Sequence, residues 1–354
     1  MSIKKDLFNY WIKCYCYNND IILPIKRKIG KESFSNAILL VILPILLMRW
    51  FLDRLYERLF AIKYVEEQKK EEVHKNFKYN FGIVAIAKNE GIYLKEWIEY
   101  HRIIGVTVFY IYDNESNDET SSILEPYIEK GIVYYKYIKG KAKQLEAYND
   151  AIRKYRFDCK YMAFIDLDEY LFIDREESIT QVTDEILKKS PKGAVGIGVN
   201  WAIFGNSNNK TRPQGLITES YIYRSEEAFF ANQHIKTICN PRMVSNYISP
   251  HYPMYKLGAF SVSSDGRKRL WGWFNRDVNW ANIRINHYYC KSQEDYLHKI
   301  GRGLGDRLGN YDTSKYNLYN RNEVLDEGML KYQKELSECV KNGIIHDYGR
   351  KKID

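Results

Sequence analysis

The stretch KYMAFIDLDEYLFI (residues 160–173) sets three carboxylates, Asp166, Asp168 and Glu169, into an otherwise apolar segment. The apolar residues predict a buried β-strand that ends in acid. Because residues two apart in a strand point to the same face, Asp166 and Asp168 are predicted to project together, while Leu167 faces the core. Two neighbouring carboxylates repel each other unless a cation lies between them. A hard divalent ion takes such oxygen ligands and also holds phosphate groups, so this stretch predicts a metal that binds a diphosphate.

The residues around this stretch alternate between strand and helix patterns. Units of about 25 residues, in which a strand is followed by an amphipathic helix, imply an α/β fold with a mostly parallel sheet covered by helices. After residue 175 the pattern is weaker. The expected strands are residues 81–88, 106–114, 132–138 and 160–173, and the expected helices are residues 90–105, 117–131 and 142–156.

Polar residues follow the first two predicted strands at the same edge of the sheet. The first strand ends in AKNEGIYLKEW (residues 87–97) and the second in YDNESNDET (residues 112–120). In open α/β sheets, ligands bind beyond the carboxyl ends of the strands. Asp113 is therefore suited to accept a hydrogen bond from a nucleobase imide or a ribose hydroxyl, and the alternative is an Asx turn that opens the next helix. For Asp166 and Asp168 the alternative is a solvated loop.

The distribution of charge indicates the kind of partner. The chain has 354 residues and a net charge of +9. Residues 1–63 hold eleven basic and five acidic residues, so most of the excess lies there. A local excess beside apolar residues fits an anionic membrane surface better than nucleic acid, which calls for a basic stripe over the folded domain. The six cysteines form no CxxC pair, which favours reduced thiols in a cytoplasmic setting.

The N-terminal region combines an apolar run with an amphipathic segment. NAILLVILPILLM (residues 36–48) offers about 12 strongly apolar residues, where a bilayer span needs roughly 20. In RWFLDRLYERLF (residues 49–60), apolar residues share one helical face and arginines another. We predict that residues 26–60 bind the inner face of the cell membrane as a peripheral or monotopic helical arm. The alternatives are an arm packed on the body or on a second subunit, and a full span in which Arg49 snorkels.

Three regions are predicted from these patterns. Residues 1–75 form a basic and apolar helical arm that ends in a charged connector. Residues 76–310 form the α/β catalytic domain, and residues 311–354 form a helical C-terminal tail. The sequence has no internal repeat and no glycine-rich phosphate loop of the G-x-x-x-x-G-K-[ST] or G-x-G-x-x-G type.

Five blocks of the sequence, taken in order, carry a family resemblance. They are the opening block (residues 84–120), AFIDLDEYLF (163–172), NWAIFGNS (200–207), HIKTICNPRMV (234–244) and INHYYCKSQEDYLHKIGRG (285–303). Together they resemble GT-A glycosyltransferases of the family 92 and family 2-like group, and the second block matches their D-x-D-E-[FY] block. The resemblance covers about residues 81–303 and implies the GT-A fold, a Rossmann-like nucleotide-diphospho-sugar transferase with a mostly parallel sheet.

The resemblance implies a reaction and a set of site residues. The chain is expected to transfer a hexose from a nucleotide-sugar, usually a UDP-sugar, to an acceptor hydroxyl with inversion at the anomeric carbon. The departing diphosphate develops negative charge, which Mn²⁺ or Mg²⁺ neutralises as the glycosidic bond breaks. The implied metal ligands are Asp166 and Asp168, with His287 as a candidate downstream ligand. The implied nucleotide-sugar site consists of Ala87, Asn89, Glu90, Asp113, Lys143, Gln144, Asn149 and Asp166.

The catalytic base and the acceptor site are less defined. Inversion requires a carboxylate that deprotonates the acceptor hydroxyl. The candidates are Glu169, Glu219 and Asp265, although strand alternation turns Glu169 away from the metal pair unless the strand has ended. Lys291 and Arg302 are candidates for phosphate contacts or for plain surface charges. The candidate acceptor residues are Trp201, Trp271 and Trp273, which suit stacking on a sugar or packing in the core, and His251.

The predicted function is therefore a metal-dependent glycosyltransferase at the cytosolic face of the membrane. Its acceptor is expected to be a glycan or a lipid-linked glycan in the synthesis of a bacterial surface polysaccharide, such as lipopolysaccharide or capsule. Two alternatives stay open. One is a nucleotidyl- or phosphotransferase that uses the same acid pair, and the other is a non-enzymatic glycan-binding or membrane scaffold protein.

Overall fold

A computed structural model describes most of the chain beyond residue 60. It divides into two compact units, Met1–Glu71 and Glu72–Asp354. The apolar run at residues 36–48, apart from its last residue, lies outside the described residues, and so do Trp271, Trp273 and Arg302. The described residues are 48, 51–52, 55–56, 60–73, 75–267, 272, 274–301, 314–343 and 345–346.

The described residues before the sheet are helical and expose large apolar side chains. Helix α1 spans Ile62–Val73, and the described residues before it (48, 51–52, 55–56 and 60–61) are also helical. In the described residues, no helix combines the length and the apolar character that a bilayer crossing requires. Large apolar side chains are exposed here, and we call them the apolar stripe: Met48, Phe51, Leu52, Leu55, Tyr56, Phe60 and Tyr64.

The first half of the central sheet is parallel, and its elements, apart from the end of β4, lie within three residues of the predicted bounds. They are β1 (Tyr79–Ala87), α2 (Gly91–Ile103), β2 (Val108–Asp113), α3 (Thr120–Glu129), β3 (Val133–Tyr137), α4 (Gln144–Tyr155) and β4 (Cys159–Phe164). Parallel pairing joins β1 to β2 and β4, and β2 to β3. Every residue of β2 is buried, which is why these strands read as continuous apolar runs.

The second half of the sheet is mixed in direction. Its strands and the smaller ones around it are β5 (Glu169–Phe172), β6 (Ala194–Ile203), β7 (Tyr223–Arg224), β8 (Ile235–Cys239), β9 (Val244–Ser249), β10 (Tyr252–Tyr255), β11 (Phe260–Val262), β12 (Arg284–His287) and β13 (Val324–Leu325). Among the described residues, nine strands form one sheet in the order β3-β2-β1-β4-β8-β6-β12-β5, with β11 beside β6. Strand β8 runs antiparallel to β4 and β6, and β12 runs parallel to β6 and antiparallel to β5.

The segment after residue 310, predicted as a separate tail, belongs to the same compact unit as the sheet. Lys95 Nζ donates to the Val340 carbonyl at 2.7 Å, and Leu336 is fully buried. The predicted domain bounds at residues 75 and 310 stay a prediction. The remaining helices are α5 (Ile179–Lys189), α6 (Ile217–Ser220), α7 (Gln293–Gly301), α8 (Lys315–Tyr319) and α9 (Gln333–Asn342).

The prediction of one strand over residues 160–173 is wrong. Strand β4 ends at Phe164 and β5 begins at Glu169, so Asp166 and Asp168 lie in the connection, residues 165–168, which we call the acidic turn. Two hydrogen bonds close it: Glu169 N–H donates to the Asp166 carbonyl at 3.1 Å, and Asp166 N–H donates to Glu169 Oε2 at 2.8 Å. The side-chain alternation of a strand therefore does not govern the acid pair.

Helix α2 holds the edge strand β5 with side-chain hydrogen bonds. Trp97 Nε1 and Tyr100 OH donate to the carbonyls of Glu169 and Leu171, each at 2.8 Å. The N–H of Leu171 donates to His101 Nε2 at 3.2 Å, and His101 Nδ1 donates to the Trp97 carbonyl at 2.8 Å. The helix thereby satisfies the edge of β5 that β12 does not pair, and it fixes the strand that begins where the acidic turn ends.

Candidate active site

The acidic turn lies at the carboxyl edge of the sheet, where several strand ends meet. Ala87 at the end of β1 stands level with Asp113 at the end of β2. His287 at the end of β12 pairs with Glu169 at the start of β5. The edge therefore combines the ends of both halves of the sheet, which is where open α/β sheets bind ligands.

Asp166 is held from two sides. Gln144 Nε2 donates to its Oδ1 at 2.6 Å, and Lys236 Nζ donates to its Oδ2 at 2.9 Å. Tyr148 OH lies 3.4 Å from the same Oδ1. The Asp166 side chain nevertheless stays 37% exposed. Its carboxylate is thus oriented by the protein and still open to a ligand.

Asp168 is buried between two basic side chains. Lys299 Nζ lies 2.6 Å from its Oδ2, and His287 Nε2 lies 3.5 Å from its Oδ1. Burial by itself would raise the pKa of the Asp168 carboxyl, but the charge of Lys299 and then the His287 imidazole hold this pKa well below its ordinary value. Asp168 is therefore ionised at neutral pH.

Glu169, one of the three candidate bases, faces the interior. Its side chain is fully buried, and Oε2 accepts the Asp166 N–H at 2.8 Å and lies 3.8 Å from Lys236 Nζ. Burial raises the pKa of Glu169 well above its usual range, and the charges of Asp166 and Asp168 add to the rise against the opposing charge of Lys236. The side chain thus closes the acidic turn from inside, and its role as the base stays a prediction.

Glu219 and Asp265, the other two candidate bases, have partners in their own surroundings. Glu219 Oε2 accepts from Gln333 Nε2 at 2.8 Å. Asp265 Oδ2 accepts from Asn279 Nδ2 at 3.0 Å and pairs with Arg267. Within the described residues, neither carboxylate forms a hydrogen bond or ion pair with the acidic turn. The structure does not bring these two residues to the acid pair.

Trp201 lies among three imidazoles. Its ring centroid is 4.8 Å from that of His234, 4.3 Å from that of His287 and 5.5 Å from that of His251. Trp201 is only 7% exposed, and its Nε1 has no hydrogen-bond partner among the described residues. Burial lowers the pKa of His287, and it lowers that of His251 to about 3. The structure thus brings the acceptor candidates Trp201 and His251 together with the metal candidate His287.

The ends of β1 and β2 form the part of the edge that was assigned to the nucleotide. Asn89 adopts a positive φ of 52°, and its Oδ1 accepts the Asn117 N–H at 2.9 Å. Asp113 Oδ1 accepts the Ser116 N–H at 2.9 Å, and its Oδ2 accepts from Tyr135 OH at 2.7 Å. The turn-forming role that was the alternative for Asp113 is therefore present, and its contact with a nucleoside stays a prediction.

Glu90 and Lys291 meet at the same edge. Lys291 Nζ lies 3.9 Å from Glu90 Oε2 and 4.3 Å from the centroid of the Tyr93 ring. Both charged side chains are buried. Lys291 is buried and its charge contributes to lowering the pKa of Asp168, so it is not the surface charge that was the alternative.

The three candidates on or before helix α4 have different surroundings. Gln144 reaches the acidic turn, as described above. Asn149 instead forms two hydrogen bonds with the backbone of Tyr247, at 2.9 and 2.7 Å, so it secures β9. Lys143 precedes the first residue of the helix and pairs with Glu146. The structure therefore connects only Gln144 of these three directly with the acid pair.

The residues of the acidic turn match a divalent ion by donor type. Carboxylates are common ligands of Mn²⁺ and Mg²⁺. In the described part of the chain, however, no group of three or more His, Cys, Asp or Glu side chains is arranged to hold a metal ion. Lys236 and Lys299 instead engage Asp166 and Asp168 at 2.9 and 2.6 Å.

Lys236 and Lys299 were not among the residues selected from the sequence. Lys236 was visible as a charge inside the apolar strand pattern HIKTIC, and such a charge predicts a buried partner. Lys299 resembles any charged residue of an amphipathic helix, because its partner Asp168 lies 131 residues earlier in the chain. No local pattern pairs the two.

A mostly parallel sheet flanked by helices, with an acid pair at its carboxyl edge, places the chain in the GT-A class of glycosyltransferases. The particular family follows from comparison. The chain belongs to glycosyltransferase family 92, whose profile matches residues 87–330. This range includes the acidic turn as well as the strand and helix that carry Lys236 and Lys299.

Similar proteins are known from plants. A glycosyltransferase family 92 protein of Ricinus communis is 30% identical over 145 residues, which is 40% of this chain and 26% of that protein. Galactan beta-1,4-galactosyltransferase GALS1 of Arabidopsis thaliana is 26% identical over 263 residues, 69% of this chain and 47% of that protein. The chain spans less than half the length of these relatives.

Two solved structures show a more distant likeness. Staphylococcus aureus TarS 1–349 in complex with UDP has a TM-score of 0.31 and 14% identity, and the match covers 46% of this chain and 47% of that one. Glucosyl-3-phosphoglycerate synthase of Mycobacterium tuberculosis, in complex with Mn²⁺, UDP-glucose and phosphoglyceric acid, has a TM-score of 0.25 and 14% identity, with coverages of 39% and 48%.

Proposed function

We propose that the chain is a metal-dependent glycosyltransferase. It transfers a hexose from a nucleotide-sugar, with a UDP-sugar as the expected donor, to a hydroxyl of a glycan or lipid-linked acceptor, with inversion. The observation that carries the proposal is the acidic turn itself. An exposed carboxylate at Asp166 and an ionised, buried one at Asp168 lie at the ligand-binding edge of a family 92 sheet. That combination suits a cation and a diphosphate.

The nucleoside is proposed to bind along the ends of β1 and β2, with its diphosphate reaching toward the acidic turn. Gln144 and Lys236 orient Asp166 for this ligand, and Lys291 adds a positive charge from the side of Glu90. The full proposed nucleotide-sugar set remains Ala87, Asn89, Glu90, Asp113, Lys143, Gln144, Asn149 and Asp166.

Asp166, Asp168 and His287 are the residues proposed to hold Mn²⁺ or Mg²⁺. When bound, the ion neutralises charge on the departing diphosphate. The sugar and its acceptor are proposed to meet near Trp201 and His251, whose rings lie beside His287. Trp271 and Trp273 stay predictions for the acceptor, and Glu169, Glu219 and Asp265 stay predictions for the base.

The reaction is tested by incubating the chain with a panel of UDP- and GDP-sugars, with and without Mn²⁺. We expect release of the nucleoside diphosphate from one UDP-sugar, with Mn²⁺ required. A calorimetric titration with UDP in the presence of Mn²⁺ tests donor binding separately. If UDP did not bind and no nucleotide-sugar were cleaved, the proposal would be wrong.

The same assay separates the two alternatives. A nucleotidyltransferase that acts on a nucleotide-sugar transfers the nucleoside monophosphate and releases the sugar 1-phosphate, whereas a glycosyltransferase releases the nucleoside diphosphate. A glycan-binding scaffold binds an oligosaccharide and turns nothing over. Membership of a glycosyltransferase family favours the sugar transfer over both.

We also propose that residues 26–60 attach the chain to the inner face of the cell membrane. The apolar stripe supports this, because Phe51 and Leu55 are 61% and 45% exposed and such stripes mark interaction surfaces. The chain should sediment with vesicles that contain phosphatidylglycerol, and the double substitution F51S/L55S should release it. Equal sedimentation of both proteins would contradict the proposal. A bacterial surface polysaccharide as the product stays a prediction, since the relatives described above are plant proteins.

A further inference from the structure

We propose that Trp201 selects the sugar of the donor through its indole N–H, which donates a hydrogen bond to one hydroxyl of the transferred hexose. This role differs from stacking on an acceptor sugar, because it uses the polar atom of the side chain and not the face of its ring. The inference rests on the proposed function, since it names a group that recognises the hexose of the nucleotide-sugar.

The backbone holds Trp201 at the ligand-binding edge of the sheet. Strand β8 runs antiparallel to both β4 and β6, so β6 ends at the same edge as β4, and Trp201 lies two residues before that end. Its backbone N–H donates to the His234 carbonyl at 3.0 Å, and its carbonyl accepts from Trp280 Nε1 at 3.1 Å. The position of the indole is therefore set by the sheet.

Neighbouring rings occupy the surroundings of the indole. The His234 ring lies parallel to it within 11°, with the centroids 4.8 Å apart, and the His287 ring crosses it at 66° with the centroids 4.3 Å apart. Only 7% of Trp201 is exposed. Stacking on a sugar needs an accessible ring face, and this packing leaves little of one. The N–H is the part of the side chain whose bonding capacity is unused.

The indole N–H has no hydrogen-bond partner among the described residues, and it is shielded from solvent. A buried donor without a partner is unfavourable and rare in native proteins. A second unsatisfied atom, His287 Nδ1, belongs to a ring that contacts Trp201. Two such atoms in one cluster, next to Asp168, indicate a site that a polar ligand completes.

A hydroxyl of the donor hexose suits this cluster by chemistry and by position. The indole nitrogen can only donate, and a hydroxyl oxygen accepts. His287 lies 3.5 Å from Asp168 in the acidic turn, toward which the diphosphate is proposed to reach. The hexose attached to that diphosphate is therefore the sugar that this cluster meets. A site that hydrogen-bonds a hydroxyl discriminates against a sugar that lacks it.

Substitution of Trp201 by Phe tests the inference, because it keeps an aromatic ring and removes the N–H. Calorimetry measures the binding of UDP and of the UDP-hexose that the panel above identifies. W201F should bind the UDP-hexose on the order of tenfold more weakly than the wild type and bind UDP equally well. Tyr127→Phe, which removes a buried hydroxyl from α3, is the matched control and should change neither affinity.

Monodeoxy forms of the same UDP-hexose locate the hydroxyl. The wild type should bind one of them on the order of tenfold more weakly than the parent sugar, and W201F should bind that form and the parent alike. A tryptophan that only fills the core would not change this discrimination between sugars.

The outcomes separate this inference from the proposed function. If the wild type bound no UDP and cleaved no nucleotide-sugar, both would be wrong. If the wild type bound the UDP-hexose and W201F matched it, or lost affinity for UDP and UDP-hexose equally, only the role of Trp201 would be wrong. Thermal melting checks that W201F is folded. If it is not, the wild type decides, because equal affinity for the parent and every monodeoxy form contradicts the inference.

Discussion

The two halves of the central sheet are stabilised by different interactions. In the first half, β1, β2 and β4 bury largely apolar runs, and every residue of β2 is buried. In the second half, buried polar and charged residues lie on the strands themselves. Three of them, Lys236, Arg284 and His287, have partners far away in the sequence. The first half is thus stabilised mainly by apolar packing, and the second half supplies charged side chains to the candidate active site.

The largest expected effect concerns a buried ion cluster of the second half. Asp326 lies 2.6 Å from Arg224 and 2.7 Å from Arg284, and the three side chains are 9–16% exposed. Asp326→Leu leaves two mostly buried guanidinium groups without a carboxylate, and we expect a loss of about 3–5 kcal/mol in the free energy of unfolding. Urea denaturation measures it.

The control for this prediction is Asp174→Asn. The Asp174 side chain is 82% exposed in its pair with Lys331, and removing such a surface pair changes stability by less than about 1 kcal/mol. Similar losses for the two variants would mean that buried ion pairs are not what holds the second half.

The second prediction concerns the turn that joins the halves. Asp166→Asn and Asp168→Asn should each keep the fold and lower kcat for sugar transfer by about 10²–10³-fold, because charge that develops on the diphosphate is no longer stabilised. Steady-state kinetics with the active UDP-sugar measures the loss. Asp184→Asn is the control, since Asp184 pairs with Lys160 away from the acidic turn. Normal turnover by either variant of the acid pair would remove that residue from the site.

A third prediction addresses the contact between α2 and β5. His101 accepts the Leu171 N–H and is fully buried, and burial lowers its pKa to about 3. In the unfolded chain a histidine has a pKa near 6.5 and is protonated below that pH, whereas in the folded state His101 stays neutral. Stability is therefore complete above about pH 6.5 and falls below it, by up to about 1.4 kcal/mol per pH unit from this group.

Unfolding of the wild type and of His101→Gln at pH 7.5, 6 and 5 measures that slope. The variant should lose less stability on acidification than the wild type. His298→Gln, a change at an exposed histidine of α7, should behave as the wild type does. A slope that His101→Gln leaves unchanged would contradict the prediction.

The smallest effect is expected in the core of the first half. Ile83 on β1 is fully buried among apolar neighbours. Ile83→Val removes one methyl group and should lower the free energy of unfolding by about 1 kcal/mol, without any dependence on pH or salt. A loss as large as that of Asp326→Leu would erase the contrast between the halves.

Prediction from sequence succeeded where partners are local. Strands and helices from residue 79 to residue 164 follow from apolar periodicity, because each element is defined within about ten residues of its own sequence. It failed at residues 165–168, where Glu169 folds back to accept the Asp166 N–H and closes a turn inside an apolar run. Apolar residues on both sides of a buried turn are indistinguishable from those of a longer strand.

The residues of the candidate site also fall into those that the sequence indicated and those that only the structure revealed. The acid pair stood out because two carboxylates interrupt an apolar segment, and the resemblance to family 92 added His287. Lys236 and Lys299 did not stand out, because their partners lie 70 and 131 residues away. Glu169 looked as available as its neighbours, and only its burial against Lys236 removes it from the surface.

The sequence by itself determined the α/β order of the first half and the presence of acid at the end of β4, because periodicity and composition are local properties. The tertiary structure alone decided which cation faces which acid, since the lysines of β8 and α7 lie 70 and 131 residues from the acids that they contact. A lysine in a sequence is simply a positive charge. Its position in the fold decides its partners. Lys236 lies between two acidic groups, Asp166 and Glu169, whereas Lys299 contacts Asp168, which also has His287 as a neighbour.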